Sequence, residues 1–167
     1  RFSGASYVTL EDLNIVTQNT TYGWGVHYTG GCSNDTIRNC TLDISSVSST
    51  SSANSVGIAM SGTTTSSTSN GANCDDCAIM NNTINGRSLS GGMYYGITVI
   101  GQNGGGSGAQ NVLVQGNEVR DHYLYGIYVN DADGVKVWDN EVHRPTKSST
   151  TTFYGVYITG DSYNGRI

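Results

Sequence analysis

The sequence predicts an all-β fold, a right-handed parallel β-helix of about five coils, because one strand-and-turn unit recurs along its length. Three observations carry this expectation: a glycine-centred strand that repeats, a second repeated strand pair around an Asn-rich corner, and a composition suited to short strands and polar turns.

The first unit is an aromatic or aliphatic residue, a glycine, and an alternating triplet. It reads Trp24-Gly25-Val26-His27-Tyr28, Val56-Gly57-Ile58-Ala59-Met60, Tyr95-Gly96-Ile97-Thr98-Val99, Tyr125-Gly126-Ile127-Tyr128-Val129 and Tyr154-Gly155-Val156-Tyr157-Ile158. The glycines lie 32, 39, 30 and 29 residues apart. Side chains in a strand alternate between faces, so Val26, Ile58, Ile97, Ile127 and Val156 share one face. Stacked coil on coil, they form an aliphatic column inside a solenoid. Tyr28, Met60, Val99, Val129 and Ile158 form a second.

The second unit reads Ile37-Arg38-Asn39-Cys40-Thr41-Leu42, Ile79-Met80-Asn81-Asn82-Thr83-Ile84, Val114-Gln115-Gly116-Asn117-Glu118-Val119 and Val137-Trp138-Asp139-Asn140-Glu141-Val142, with Leu10 to Ile15 a looser early copy. Ile37, Ile79, Val114 and Val137 supply a third column. Asn39, Asn81, Gly116 and Asp139 occupy one corner register, and these residue types tolerate a left-handed backbone. Next to them, in step with Cys40, Asn82, Asn117 and Asn140 are placed to hydrogen-bond as a ladder and satisfy buried turn backbone. An antiparallel sandwich also needs alternation and turns. It does not need the same residue types at one offset in four successive units.

Charged residues make up 13% of the chain, about half the roughly 25% of an average globular protein. The net charge of -5 argues against a nucleic-acid partner, whose phosphates are held by Lys and Arg. No apolar run reaches the ~18 residues of a membrane span. The low charge and the Ser/Thr/Asn/Gly-rich surface suggest an extracellular or cell-surface protein.

Residues 1–167 read as one solenoid segment interrupted by polar inserts at Ser45 to Asn54, Gly62 to Asn73, Gly101 to Gly108 and Lys147 to Thr152. Such inserts become loops on one side of a solenoid, either a binding side or merely solvated. The hydrophobic columns run undiminished to the last unit, and no capping helix is recognisable at either end. The expectation is a section of a longer solenoid, or else copies stacked end to end.

On these repeats the chain resembles the parallel β-helix proteins of the pectate-lyase-like superfamily, above all the Asn- and Gly-rich secreted and surface bacterial ones. The resemblance spans nearly the whole chain, from about Tyr7 to Ile167. It implies a fold more than a function, since lyases, hydrolases, epimerases, adhesins and tailspikes share it. Cys74-Asp75-Asp76-Cys77 is similar to the paired-Asp segment of the polygalacturonase-like hydrolases. The Gly-His-Gly segment of those enzymes has no counterpart here, so their catalytic roles are not carried over.

Registering the coils on Ile37 and Ile79 sets Cys32 and Cys74 at one offset, in coils about 4.8 Å apart, so a disulfide between them is expected. Asp131 and Asp133, in Asn130-Asp131-Ala132-Asp133-Gly134, are weak calcium candidates without the downstream Glu of a calcium loop. No other metal and no cofactor is expected. Registering the coils beyond the Asn ladder stacks Arg120 beside His143, Asp121 beside Arg144 and Arg87 beside His122. That flank is either part of a site that neutralises a uronate and abstracts a proton, as the resemblance to lyases of this superfamily implies, or a solvated salt-bridge ladder. Tyr128 and Tyr157 are adjacent outward aromatics able to stack on a sugar.

Two functional classes follow. The favoured one is a non-catalytic structural, adhesive or glycan-binding segment of a larger exported protein, with polysaccharide as its possible ligand. The other is a polysaccharide lyase, glycoside hydrolase or epimerase using the Arg/His flank.

Overall fold

The computed structural model describes residues 1–103, 108–148, 152–162 and 164–167. The described strands build three sheets in which every neighbouring pair is parallel, the arrangement of a parallel β-solenoid. The first sheet has six strands: Phe2–Ser3, Gly23–Thr29, Ser55–Met60, Tyr95–Ile100, Tyr125–Asn130 and Tyr154–Thr159. The second stacks Thr9–Glu11, Thr36–Arg38, Ala78–Met80, Leu113–Gln115 and Lys136–Trp138. The third stacks Asn14–Val16, Thr41–Asp43, Thr83–Asn85, Glu118–Arg120 and Glu141–His143. The chain visits the sheets in turn, so each coil buries a strand's inner face against two others. No helix among the described residues is long and apolar enough to cross a membrane.

The register bears out the three columns. Val26 pairs with Ile58, Ile58 with Ile97, Ile97 with Ile127, and Ile127 with Val156. In the second sheet Leu10, Ile37, Ile79, Val114 and Val137 are in line. The third adds a column of Ile15, Leu42, Ile84, Val119 and Val142. Ile37, Ile58, Ile79, Ile84, Ile97, Val114 and Ile127 are fully buried in one core.

The corner between the second and third sheets is left-handed at Asp12, Asn39, Asn81, Gly116 and Asp139, with φ from 54° to 65°. Asn alone would not close it. The ladder beside it does. Asn82 Oδ1 accepts from the Cys40 amide at 3.0 Å, and Asn117 Oδ1 accepts from the Asn82 amide at 3.0 Å. Asn140 Oδ1 accepts from the Asn117 amide at 2.9 Å. Each Asn also donates back to a carbonyl one coil earlier, to Ile37, Ile79 and Val114 respectively. A second left-handed corner, at Tyr7, Asn34, Asp76, Asn111, Gly134 and Asn164, leads into the second sheet.

All four cysteines are buried free thiols. Cys32 and Cys74 do share a register, beside the Ser33–Asp75 bridge, and interact with each other. The expected cross-link is nonetheless not formed in this structure. Each thiol instead donates to a carbonyl of its own turn, Cys32 to Thr29 at 3.2 Å and Cys74 to Ala72 at 3.3 Å.

Candidate functional site

Strict alternation carried across the glycine would put Tyr95, Tyr125 and Tyr154 on the same inner face as the isoleucines that follow two residues later. The structure puts them outside. A Cβ added to Gly96 would point inward, 2.3 Å from Val119 Cγ1 and 2.5 Å from the Gly126 carbonyl, and Gly126 is placed alike against Val142. The glycine therefore occupies an inward position next to an inward isoleucine, and alternation is broken there. The result is that residues three apart, Tyr125 and Tyr128 for example, emerge on the outer face together.

Seven tyrosines assemble on that face: Tyr94, Tyr95, Tyr123, Tyr125, Tyr128, Tyr154 and Tyr157. Tyr95, Tyr125 and Tyr154 form one stacked column, with centroids 5.3 and 5.1 Å apart and planes within 13°. Tyr128 and Tyr157 form a second, at 5.7 Å and 12°. Between columns the rings are tilted, at 5.1 Å for both Tyr125–Tyr128 and Tyr154–Tyr157. Each such pair adds about 0.5–1.5 kcal/mol to the sheet beyond its area. Exposure grows along the first column, from 7% at Tyr95 to 39% at Tyr154. Burial, then the neighbouring phenols, pushes the Tyr94, Tyr95, Tyr125 and Tyr128 hydroxyls above their ordinary pKa, so all stay protonated donors near neutral pH.

The polar inserts roof the neighbouring part of the same face. Ser67 is buried; its carbonyl accepts from the Thr98 hydroxyl at 2.9 Å and its own hydroxyl donates to Ser52 O at 3.0 Å. Val56, Ala59 and Thr98 are completely covered. The tyrosines thus lie as an open shelf beside a loop-covered floor. Parts of the inserts at 101–108 and 147–152 lie outside the described residues.

The six ionisable residues of the Arg/His flank divide between two sets of contacts. On the third sheet, Arg120 and His143 are paired in register and both reach Glu118, at 2.5 and 3.1 Å. His143 also approaches Glu141 at 3.5 Å. Glu118, Glu141 and His143 are the one group among the described residues with the spacing of metal ligands. Direct opposition of Glu118 and Glu141 is a like-charge pair, and the Arg120 guanidinium on Glu118 offsets it.

The other set lies around loops. Asp121 is buried, and its carboxylate accepts from the Thr146 amide and hydroxyl at 3.1 and 2.6 Å. Lys147, not singled out from the sequence, donates to the carbonyls of Arg87, Gly91 and Asp121. Arg144 lies 5.2 Å over the Phe153 ring. His122 is fully buried, and among the described residues no hydrogen bond of good geometry reaches either ring nitrogen. Burial, then Arg144 and Lys147, lowers its pKa to about 3, against weaker opposing pulls from Asp121 and the Tyr154 backbone.

His122 sets an acid sensitivity. The unfolded chain binds a proton near pH 6.5 while the folded one resists until about pH 3, so stability falls as pH drops through that window. Between pH 6.5 and 5 the loss from this group is about 2 kcal/mol. Denaturant titrations at the two pH values are expected to show that loss in the wild type and not in His122→Leu. An equal pH dependence of the two proteins contradicts the assignment.

Asp131 and Asp133 sit at turns and spend their oxygens on amide donors: Asp131 on Asp161, Asn70 and Asn130, Asp133 on Asn164. His27 shares the outer-face register of Ala59, Thr98 and Tyr128 but is buried there, with Nε2 3.0 Å from the Ser61 hydroxyl.

Compared with family models, curated proteins and solved structures, the chain has no significant match. The class it defines is that of a parallel β-solenoid carrying an aromatic shelf.

Proposed function

We propose that the chain is a non-catalytic, glycan-binding segment of an extracellular or cell-surface right-handed β-helix, pectate-lyase-like in kind and part of a larger exported protein. The herringbone of tyrosines carries the reading. It presents ring edges and hydroxyls along the solenoid axis, and a polysaccharide has the alternating apolar and hydroxyl faces to match. Right-handedness follows from the near-universal hand of parallel crossovers. The Gly- and Asn-centred repeat supports the superfamily. The scarcity of charge and the Ser/Thr-rich loops support an exported surface. A non-catalytic role is favoured because the ionisable groups are sheltered or already paired: His122 is buried, and Asp121 holds Thr146.

Affinity electrophoresis in neutral and acidic polysaccharides tests this. Retardation is expected in at least one gel, and Tyr128→Ala with Tyr157→Ala is expected to weaken it about tenfold, the factor of ~1.4 kcal/mol that one aromatic contact supplies. Phe at both positions should retain most of the binding. No retardation of the wild type, or no effect of the double Ala variant, defeats the reading. Release of unsaturated or new reducing ends from a bound glycan would favour an enzyme instead.

A further inference from the structure

A second feature of the same outer face lies two coils before Tyr95, where the tyrosine column continues in register as Val56 and then Trp24. Val56 is fully covered, so Trp24 is separated from the shelf. Around it is an open cleft of about 560 Å³, a size that suits small ligands. Tyr22, Trp24, Asn54, Thr64 and Thr65 line it, with the backbone at Gly23 and Ala53.

The indole is held in advance. Its Nε1–H donates to Ala53 O at 3.0 Å. The His27 ring braces it edge-on at 5.0 Å and 86°. His27 is in turn fixed by Ser61. A rigid aromatic surface costs little entropy when a ligand stacks on it. Thr64 and Thr65 are exposed at the rim, and Tyr22 is 61% exposed. Among the described residues, no carboxylate, ammonium or guanidinium lines the cleft. Its chemistry is thus an indole, a phenol, hydroxyls and an amide, which complements a ring with an apolar C–H face and neutral hydroxyl edges. A charged ligand would lose hydration there without gaining a counter-ion.

We infer that the Trp24 cleft is a saccharide subsite for a neutral pyranose, separate from the tyrosine shelf. It rests on the glycan-binding reading for its ligand class but not for its geometry. Trp24 stacks on the sugar face, while Thr64, Thr65 and Asn54 hydrogen-bond its hydroxyls.

The chain has two tryptophans, so Trp138→Phe leaves Trp24 as the sole indole reporter. The full chain carrying that change is titrated with neutral pentasaccharides of glucose, mannose and galactose, and with pentagalacturonate. A saturable change in Trp24 emission is expected with at least one neutral sugar and not with the galacturonate. Thr64→Val with Thr65→Val, conservative at exposed positions, is expected to weaken the response about tenfold. The response should persist with Tyr128→Ala and Tyr157→Ala added, so a failed shelf and a failed cleft are told apart. The proposal is overturned if no neutral sugar alters the emission, if only the charged one does, or if the Val pair leaves the titration unchanged.

Discussion

Replacing Asn117 by Leu is expected to lower the unfolding free energy by on the order of 3–6 kcal/mol. Asn117 is 1% exposed, and its side-chain amide serves both neighbouring coils. Its oxygen accepts from the Asn82 amide and from Asn82 Nδ2 at 3.0 and 2.9 Å. Its nitrogen donates to Ile79 O, Gln115 O and Asn140 Oδ1 at 2.8, 3.2 and 3.0 Å. Leu fits the volume but strands those backbone groups away from water, at about 1–3 kcal/mol for each buried group left unpaired. Asn140 is half-buried and, among the described residues, has a ladder neighbour only at Asn117, so Asn140→Leu should cost roughly half as much. Urea denaturation of both variants measures it. Unchanged midpoints would remove the ladder as a source of stability.

That ladder was legible because it depends on residue identity at a fixed offset. Asn82, Asn117 and Asn140 recur three residues after Ile79, Val114 and Val137, and only a stacked coil brings such positions together. The aliphatic columns were legible for the same reason. The tyrosine shelf was half legible. Tyr128 and Tyr157 are outward by simple alternation, whereas Tyr95, Tyr125 and Tyr154 become outward because alternation breaks at the glycine that follows each of them. A periodicity argument has no access to that break, although a tyrosine before glycine in three successive units was the visible trace of it.

The Arg/His flank shows the opposite limit. Register placed Arg120 beside His143 correctly, yet it could not say which side chains face out and which lie under loops. Glu118 follows the ladder residue Asn117 in the repeat with nothing in its spacing to mark it, and it is the group on which Arg120 and His143 meet. Lys147 came from an insert of irregular length, where no repeat register applies. Its three carbonyl partners belong to Arg87, Gly91 and Asp121, all far from Lys147 in sequence. The loops therefore decide which charges of the flank are open to solvent, and the repeat decides only their order along the axis.

The glycine of the repeat yields the sharpest internal contrast. Gly96→Ala is expected to destabilise by about 3 kcal/mol, the upper end of what overpacking usually costs, since its methyl would sit 2.3 Å from Val119 Cγ1 and 2.5 Å from the Gly126 carbonyl. Side chains can repack, but the carbonyl belongs to the next coil's strand, so relief requires the two coils to separate. Gly155 occupies the same register in the last strand of the sheet, and an added Cβ there meets nothing within 4 Å. Neither glycine has a positive φ, so backbone strain does not enter the comparison. Gly155→Ala should therefore be neutral, or stabilising by about 0.4–1 kcal/mol through a less flexible unfolded chain. Thermal and urea unfolding of the two variants side by side separates a packing origin for the recurring Tyr-Gly units from a conformational one. Equal destabilisation of both would show that the glycines are needed for their backbone freedom, and that the inward crowding behind the tyrosine shelf is not what holds it outward.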